Sequence, residues 1–249
     1  MAGRIELNVD EKSIASFKMN DVKGQNIFSE AFIKDFIETL DELEANYQPK
    51  VMILQGLESV FSGGAEKQTL MDLCDGKIVV KDLILSERLL NTEFPVIAAM
   101  QGHAMGGGLV LALCSDIVIA ARESRYGAVF MSMGFTPGMG TTTLLQGLFG
   151  AFIANEMMYT AKRFRGSELE KKATNINYIL AKDNVLKKAR DIALQISEKN
   201  VKSIYLLKYT LSAPKRKLLI DARLQEDMMH KISFKFGETK KIINELYVE

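Results

Sequence analysis

The sequence contains few of the side chains that covalent crosslinks and metal centres require. Cysteine occurs twice, at Cys74 and Cys114, and histidine occurs twice among 249 residues. Two cysteines do not build a disulfide framework, and Cys114 lies in an apolar stretch predicted to be helical, so we expect a reduced protein. So few cysteines and histidines also leave little for a metal site, and we expect neither a metal nor a cofactor.

A strong net charge and long apolar runs are absent as well. The 32 Lys and Arg residues nearly balance the 31 Asp and Glu residues, which gives a net charge of +1. No global field therefore attracts nucleic acid. No segment is long and apolar enough to span a bilayer, and the N-terminal residues lack an apolar run with a cleavage site. We expect a cytoplasmic protein that binds neither nucleic acid nor membrane.

The composition is sufficient for one large hydrophobic core. Hydrophobic residues make up 47% of the chain and charged residues 25%, as in ordinary globular proteins. We predict a main domain over residues 1–195 and a smaller helical region over residues 196–249.

The hydrophobic patterns predict an α/β protein. Residues 4–9 and 13–18 alternate as in a β-hairpin, and residues 27–45 carry apolar side chains at helical spacing. Beyond Pro137 the pattern predicts helices only, over residues 141–160, 185–198, 201–211, 215–230 and 238–247.

Three glycine-rich stretches are the most informative part of the chain. FSGGAE (residues 61–66) follows a predicted strand over 51–55, QGHAMGGG (101–108) joins a strand over 95–100 to a helix, and GFTPGMG (134–140) precedes another helix. The second stretch and the strand over 116–121 make a βαβ unit. In this order and spacing the three stretches resemble the crotonase superfamily, also called the enoyl-CoA hydratase/isomerase family.

This resemblance implies an α/β fold with a crotonase-type spiral core of ββα repeats. In the family, a C-terminal helical region mediates the formation of trimers. We therefore expect a homotrimer or a dimer of trimers.

The resemblance also implies how a thioester is activated. Enolate formation places negative charge on the carbonyl oxygen, which two preorganised backbone N–H groups stabilise. The family's two donors correspond here to Ala65 and Gly107. For Gly106 and Gly108, close packing of helix on sheet is an equally good explanation.

Two positions depart from the family's hydratases. Those enzymes place one glutamate three residues after the middle glycine and another before the GxxPG turn, where this chain has Val110 and Phe130. Neither side chain transfers protons, so water addition and base-driven isomerisation lose their usual groups. The alternative is a substitute carboxylate from the first loop, at Glu66, Asp72 or Asp75.

Decarboxylation needs the oxyanion hole but no base, because the breaking C–C bond supplies the electrons. An apolar wall at Val110 and Phe130 favours neutral CO₂ over a carboxylate. The segment AAMQGHAMGGG, together with GFTP and MMYT (residues 157–160), resembles the corresponding segments of decarboxylating crotonases from polyketide β-branching cassettes. Those proteins convert 3-methylglutaconyl to 3-methylcrotonyl on an acyl carrier protein.

The dienolate left by CO₂ must be protonated. His230 is our candidate proton donor, because histidine titrates near neutral pH and the subgroup has a histidine in a comparable context. The alternative is a surface histidine on an amphipathic helix. His103 is interpreted as structural.

Some subgroup members bind the substrate carboxylate through a tyrosine and a lysine, four and eight residues past the first oxyanion donor. This chain has Thr69, expected to line the pocket, and Leu73 at those positions. Lys77, behind Asp75-Gly76, is the best-placed substitute cation. Lys67 and Lys81 are the alternatives.

The expected carrier of the substrate is the phosphopantetheine of an acyl carrier protein or of coenzyme A. Basic clusters at residues 162–165, 215–217 and 240–241 can meet its phosphate or an acidic carrier protein, or form ordinary solvated surface. Two other functions remain open: an enoyl-thioester isomerase or hydratase that uses a loop carboxylate, and a non-catalytic partner that binds acyl carrier protein.

Overall fold

A computed structural model of the chain describes residues 3–78 and 84–247. The larger sheet has six strands, which in spatial order are β1 (Ile5–Val9), β2 (Ile14–Met19), β4 (Val51–Gln55), β7 (Val96–Met100), β9 (Ile117–Ala121) and β12 (Tyr178–Leu180). β1 and β2 form the predicted antiparallel hairpin, whereas the other neighbours pair in parallel. The predicted α/β fold is confirmed.

The strands of a second sheet alternate along the chain with those of the first. Its strands, in spatial order, are β11 (Phe164–Arg165), β10 (Arg125–Gly127), β8 (His103–Met105) and β5 (Val60–Ser62), and a separate short pair joins β3 (Ile27–Phe28) to β6 (Gly64–Ala65). Each of β4, β7 and β9 is followed by a strand of the second sheet and then by a helical segment. These three successive ββα turns are the spiral expected from the motifs.

Helices cover both faces of the larger sheet. They are α1 (Glu30–Asn46), α2 (Lys67–Cys74), α3 (Leu85–Leu90), α4 (Gly107–Cys114), α5 (Thr141–Phe149), α6 (Ala151–Thr160), α7 (Gly166–Lys171), α8 (Lys182–Ser197), α9 (Val201–Ser233) and α10 (Gly237–Leu246), with a 3-10 helix at Val129–Met133. One face packs α8 against the sheet in a small apolar cluster, and the other face holds the main core. No helix in the described part of the chain is both long and apolar enough to cross a membrane.

The most informative helix boundary concerns α9. The sequence predicts two helices separated near Pro214, but one helix of 33 residues runs through the proline. Lys208, before the proline, pairs with Asp116 at 2.8 Å, and Lys215, after it, donates to the carbonyl oxygens of Leu113 and Ser115. These anchors on both sides stabilise the helix against the loss of one main-chain hydrogen bond.

Other predicted boundaries were also wrong in detail. The stretch 141–160 is split at Gly150 into α5 and α6, and helix α1 begins at Glu30 because Ile27–Phe28 form β3 and Ser29 is the N-cap. The segment beyond Pro137 contains the short strands β11 and β12, whereas helices alone were predicted. Another short strand, β8, interrupts the predicted turn over residues 101–108. The division between residues 1–195 and 196–249 stays a prediction, and it falls within the last turn of α8.

Candidate active site

Two of the glycine-rich stretches meet at the N-terminus of α4. Gly64 has a φ of +87°, and a Cβ on it would lie 2.8 Å from the carbonyl oxygen of Met105 and 3.1 Å from the nitrogen of Gly107. Only glycine combines this conformation with so close an approach. The next residue, Ala65, therefore lies beside the first turn of α4.

Gly107 is the first residue of α4, which is buried along its whole length. Helix geometry leaves the first amides without an intrahelical acceptor, and the aligned peptide dipoles place partial positive charge there. The next glycine has a packing role, since a Cβ on Gly108 would lie 2.4 Å from the carbonyl oxygen of Ser62. The Gly107 N–H is thus suited to stabilise an anion.

Ala65 is fixed from two sides. In β6 it pairs with Phe28 of β3, and its carbonyl oxygen accepts a 2.9 Å hydrogen bond from the hydroxyl of Tyr247. The tyrosine follows α10 at the other end of the chain. This contact was not predicted, because a single tyrosine after an amphipathic helix does not indicate which distant residue its hydroxyl binds.

A cavity of about 50 Å³ lies in front of Ala65 and Gly107. Its walls are mostly apolar and include Leu70, Leu73, Phe130, Phe135, Met139 and Phe234. His230 also lines it, and is the one titratable side chain among the described lining residues. The cavity therefore presents a single proton-carrying side chain in mostly apolar surroundings.

His230 is held in one tautomer. It projects from α9 with 6% of its surface exposed, and its Nε2 donates a 2.7 Å hydrogen bond to the carbonyl oxygen of Thr136. Its Nδ1 is buried and has no hydrogen-bond partner among the described residues. Burial lowers the pKa of this imidazole, although the Thr136 carbonyl and Asp227 oppose the shift. The resting side chain is therefore a neutral imidazole whose Nδ1 is free to bind a proton.

The turn beside His230 is held by a buried glutamate that the sequence did not single out. Glu226 lies one helical turn before His230, and its carboxylate accepts hydrogen bonds from the amides of Gly140 (2.6 Å) and Thr142 (2.9 Å). It thereby caps the N-terminus of α5. Burial raises the pKa of Glu226, while these hydrogen bonds act in the opposite direction.

The two positions that lack glutamate are placed differently. Phe130 lines the cavity and contacts the ring of Phe135 edge-on, with 6.0 Å between centroids. Val110 is buried in α4 without lining the cavity. No Asp or Glu side chain occurs among the described residues of the lining.

The charged candidates of the first loop do not line this cavity. Lys77 is exposed and pairs with Asp72 at 2.8 Å and Asp75 at 3.5 Å. The hydrogen bond from Lys77 lowers the pKa of the Asp72 carboxyl. Similarly, the hydrogen bond from Lys240 lowers the pKa of the Asp75 carboxyl. Both carboxylates are thus held ionised, which does not suit a general acid.

The other candidates in the first loop do not line the cavity either. Thr69 is half-buried on α2 and does not line the cavity, whereas Leu73 does. Lys67 donates to the carbonyl oxygen of Asn244, and Glu66 precedes the first residue of α2. Lys81 lies outside the described residues.

His103 has a structural role, as the sequence indicated. Its Nδ1 accepts a 3.0 Å hydrogen bond from the amide of Arg125, which joins β8 to β10. Burial lowers the pKa of His103, and the cations Lys182 and Arg125 lower it further. Within the described part of the chain, no three His, Cys, Asp or Glu side chains cluster closely enough to bind a metal ion.

The chain is similar in sequence to several known proteins. The enoyl-CoA hydratase/isomerase family model matches residues 10–249. The bacillaene synthase decarboxylase PksI of Bacillus subtilis is 38% identical over 243 residues, which are 98% of this chain and 97% of that protein. The short-chain-enoyl-CoA hydratase of Clostridium acetobutylicum is 30% identical over 75% of this chain and 72% of its own length.

Solved structures agree with these sequence similarities. A structure from a dehydratase/decarboxylase enzyme couple involved in polyketide β-branching superposes with a TM-score of 0.95 at 38% identity, covering 98% of this chain and 96% of its own. The ECH2 decarboxylase domain of CurF from Lyngbya majuscula superposes with a TM-score of 0.92 at 31% identity, covering 99% of this chain and all of its own.

Proposed function

The chain belongs to the enoyl-CoA hydratase/isomerase family, and we propose that it decarboxylates a 3-methylglutaconyl-type thioester to 3-methylcrotonyl during polyketide β-branching. The observation that carries this proposal is the apolar cavity in front of Ala65 and Gly107, whose described lining contains one imidazole and no carboxylate. The similarity to PksI and to the CurF ECH2 domain, both named decarboxylases, supports the same reaction.

The reaction begins with the thioester carbonyl oxygen bound by the N–H groups of Ala65 and Gly107. The bond between the terminal carboxylate and its neighbouring carbon breaks, and its electron pair passes through the conjugated double bond to that oxygen. CO₂ leaves, and the two amides stabilise the resulting dienolate. The thioester itself takes up the electrons, so the step requires no base.

The apolar wall favours this direction of reaction. Phe130, Phe135 and Leu73 offer no hydrogen bond to a carboxylate, whereas neutral CO₂ loses little on leaving water. Val110 is buried in α4 and adds no carboxylate to the cavity lining.

His230 supplies the proton that completes the reaction. When the carboxylate enters, its negative charge favours the imidazolium form, and the second proton binds at Nδ1 because Nε2 is committed to Thr136. After CO₂ leaves, the Nδ1–H protonates a carbon of the dienolate and the imidazole becomes neutral again. Each turnover thus consumes one proton from water.

Two groups are candidates to bind the substrate carboxylate, Lys77 and His230. Lys77 stays a candidate, but in this structure its ammonium group binds Asp72 and Asp75 on the exposed side of the loop. The imidazolium form of His230 is the alternative partner, since it lines the cavity itself.

We also propose that the substrate is carried on the phosphopantetheine of an acyl carrier protein, with coenzyme A as the alternative, and that the enzyme acts in the cytoplasm as a homotrimer or a dimer of trimers. An exposed apolar stripe on α9 supports self-association, because a large apolar surface in contact with water is unfavourable. The stripe includes Leu206, Leu207, Tyr209, Leu211, Leu224 and Met228.

The proposal is tested by incubating the protein with 3-methylglutaconyl on an acyl carrier protein and following the mass of the acyl group. Loss of CO₂ supports decarboxylation. A gain of water, or an unchanged mass with a moved double bond, would identify a hydratase or an isomerase instead. An acyl group that remains unchanged indicates a non-catalytic partner.

A further inference from the structure

Met139 combines a strained backbone with a position in the cavity wall. Its φ is +62°, a left-handed conformation that costs a side-chain-bearing residue about 1 to 2 kcal/mol. The side chain is buried and lines the cavity. A methionine therefore occupies a position whose backbone is suited to glycine.

Contacts with α9 maintain this conformation on both sides of Met139. After it, the amides of Gly140 and Thr142 donate to the carboxylate of Glu226. Before it, the carbonyl oxygen of Thr136 accepts a hydrogen bond from His230. Because the surrounding structure fixes the turn, the direction in which the Met139 side chain leaves the backbone is fixed too.

That direction brings the thioether against Gly107. A Cβ on Gly107 would lie 2.9 Å from Met139 Sδ and 2.9 Å from Cε2 of Phe28. Gly107 is thus enclosed between the thioether and an aromatic ring. Because Met139 and Gly107 line the same cavity, a thioester whose oxygen binds the Gly107 amide shares that cavity with the thioether.

The cavity leaves little room there. About 50 Å³ of it is open to the centres of water-sized spheres. Phe135 is held by stacking on Phe234, with 4.8 Å between centroids.

We propose that Met139 determines which substituent the acyl chain carries at its β-carbon, admitting a methyl group and excluding ethyl or larger groups. The inference rests on the proposed function, because it places the thioester carbonyl at Ala65 and Gly107. The substrates selected are short β-methyl-branched, unsaturated dicarboxylic thioesters.

Three substitutions distinguish the effect of the Met139 side chain from the effect of its strained backbone. Met139→Ala removes the thioether and keeps the strained backbone, Met139→Gly removes both, and Met139→Leu keeps similar volume. For kcat/KM, the wild-type protein should prefer 3-methylglutaconyl over 3-ethylglutaconyl pantetheine thioester by about tenfold or more. Both the Ala and the Gly variant should reduce this preference below about threefold, and the Leu variant should keep it.

A binding measurement distinguishes failure of this inference from failure of the proposed function. Calorimetry with the unreactive amide analogues 3-methylglutaryl- and 3-ethylglutaryl-pantetheine should give the same preference without turnover. Met131→Ala, at an exposed methionine outside the cavity lining, should behave as wild type. Decarboxylation that fails in the wild-type protein overturns the proposed function alone. The role of Met139 is overturned if the wild-type protein binds both analogues equally or binds neither, or if the Ala and Gly variants keep its preference.

Discussion

The hydroxyl of Tyr247 donates a 2.9 Å hydrogen bond to the carbonyl oxygen of Ala65 across 182 residues of sequence. The C-terminal segment therefore holds the first oxyanion loop, and α10 adds a second contact where the carbonyl oxygen of Asn244 accepts from Lys67. A residue that positions the loop in this way should affect turnover more than folding.

Tyr247→Phe should lower kcat about fivefold, since a net hydrogen bond contributes about 1 kcal/mol. KM should change little because the ring is retained, and the free energy of unfolding should fall by no more than about 1 kcal/mol. Steady-state kinetics and urea unfolding check this, with Tyr159→Phe at an exposed position as the control. An unchanged kcat would show that the hydroxyl does not position the loop.

The Gly107 amide is tested by comparing two substitutions at one position. Gly107→Ala and Gly107→Pro both introduce a Cβ near Met139 and Phe28, but only proline removes the N–H. Proline is tolerated at the first position of a helix, so α4 should still form. The proline variant should be about 10²-fold slower than the alanine variant in kcat. Similar kcat values would mean that the amide does not bind the oxyanion.

His230→Gln should lower kcat by about 10²-fold or more, because a general acid typically contributes that much. The glutamine amide can still donate to the carbonyl oxygen of Thr136, so the turn should be preserved. Calorimetry with an unreactive glutaryl-pantetheine amide tests whether the binding site remains formed. Unchanged turnover would exclude His230 as the proton donor.

The pH dependence of stability provides a second test of the same side chain. Burial lowers the pKa of His230 below its ordinary value of 6.5. The unfolded chain therefore gains a proton as the pH falls through about 6.5, whereas the folded chain does not, so the folded state loses stability. Between pH 7.5 and 5.5 the wild-type protein should lose up to about 1 kcal/mol more than His230→Gln in urea unfolding. Equal losses would contradict the lowered pKa.

The first-loop groups should be dispensable. Asp72→Asn and Asp75→Asn should each leave kcat within about threefold, because both carboxylates are exposed and ion-paired away from the cavity. A loss above tenfold in either variant would favour an isomerase or hydratase with a substitute carboxylate.

Lys77→Met should change KM by less than about threefold, whereas a rise above tenfold would identify Lys77 as the group that binds the substrate carboxylate.

The sequence predicted the parts of the site that are local in the chain. The glycines of the three motifs indicate tight turns and close backbone approaches, and Gly64 and Gly107 lie where such an approach occurs. The order of strand, loop, helix and strand predicted an α/β core, and the resemblance to the crotonase superfamily predicted its ββα spiral. These features depend on residues within a few positions of one another, which is the range over which sequence patterns are informative.

The contacts that close the site join distant segments and have no such pattern. Glu226 binds Gly140 across 86 residues, and His230 binds Thr136 across 94. Pro214 shows the same limitation, since a local rule predicted a break where tertiary anchors keep α9 continuous. The sequence suggested His230 only through family resemblance, and offered no reason to select Glu226 or Tyr247.

The proposed reaction breaks a C–C bond and returns one proton to the dienolate. It is measured most directly with a 3-methylglutaconyl group carried on an acyl carrier protein, with ¹³C in the terminal carboxylate of the acyl group. This substrate is incubated with the enzyme in D₂O, and the products are analysed by mass spectrometry. We predict stoichiometric ¹³CO₂ and a 3-methylcrotonyl product that carries one carbon-bound deuterium. Retention of the label in the acyl group, with deuterium or water incorporated, would contradict the account.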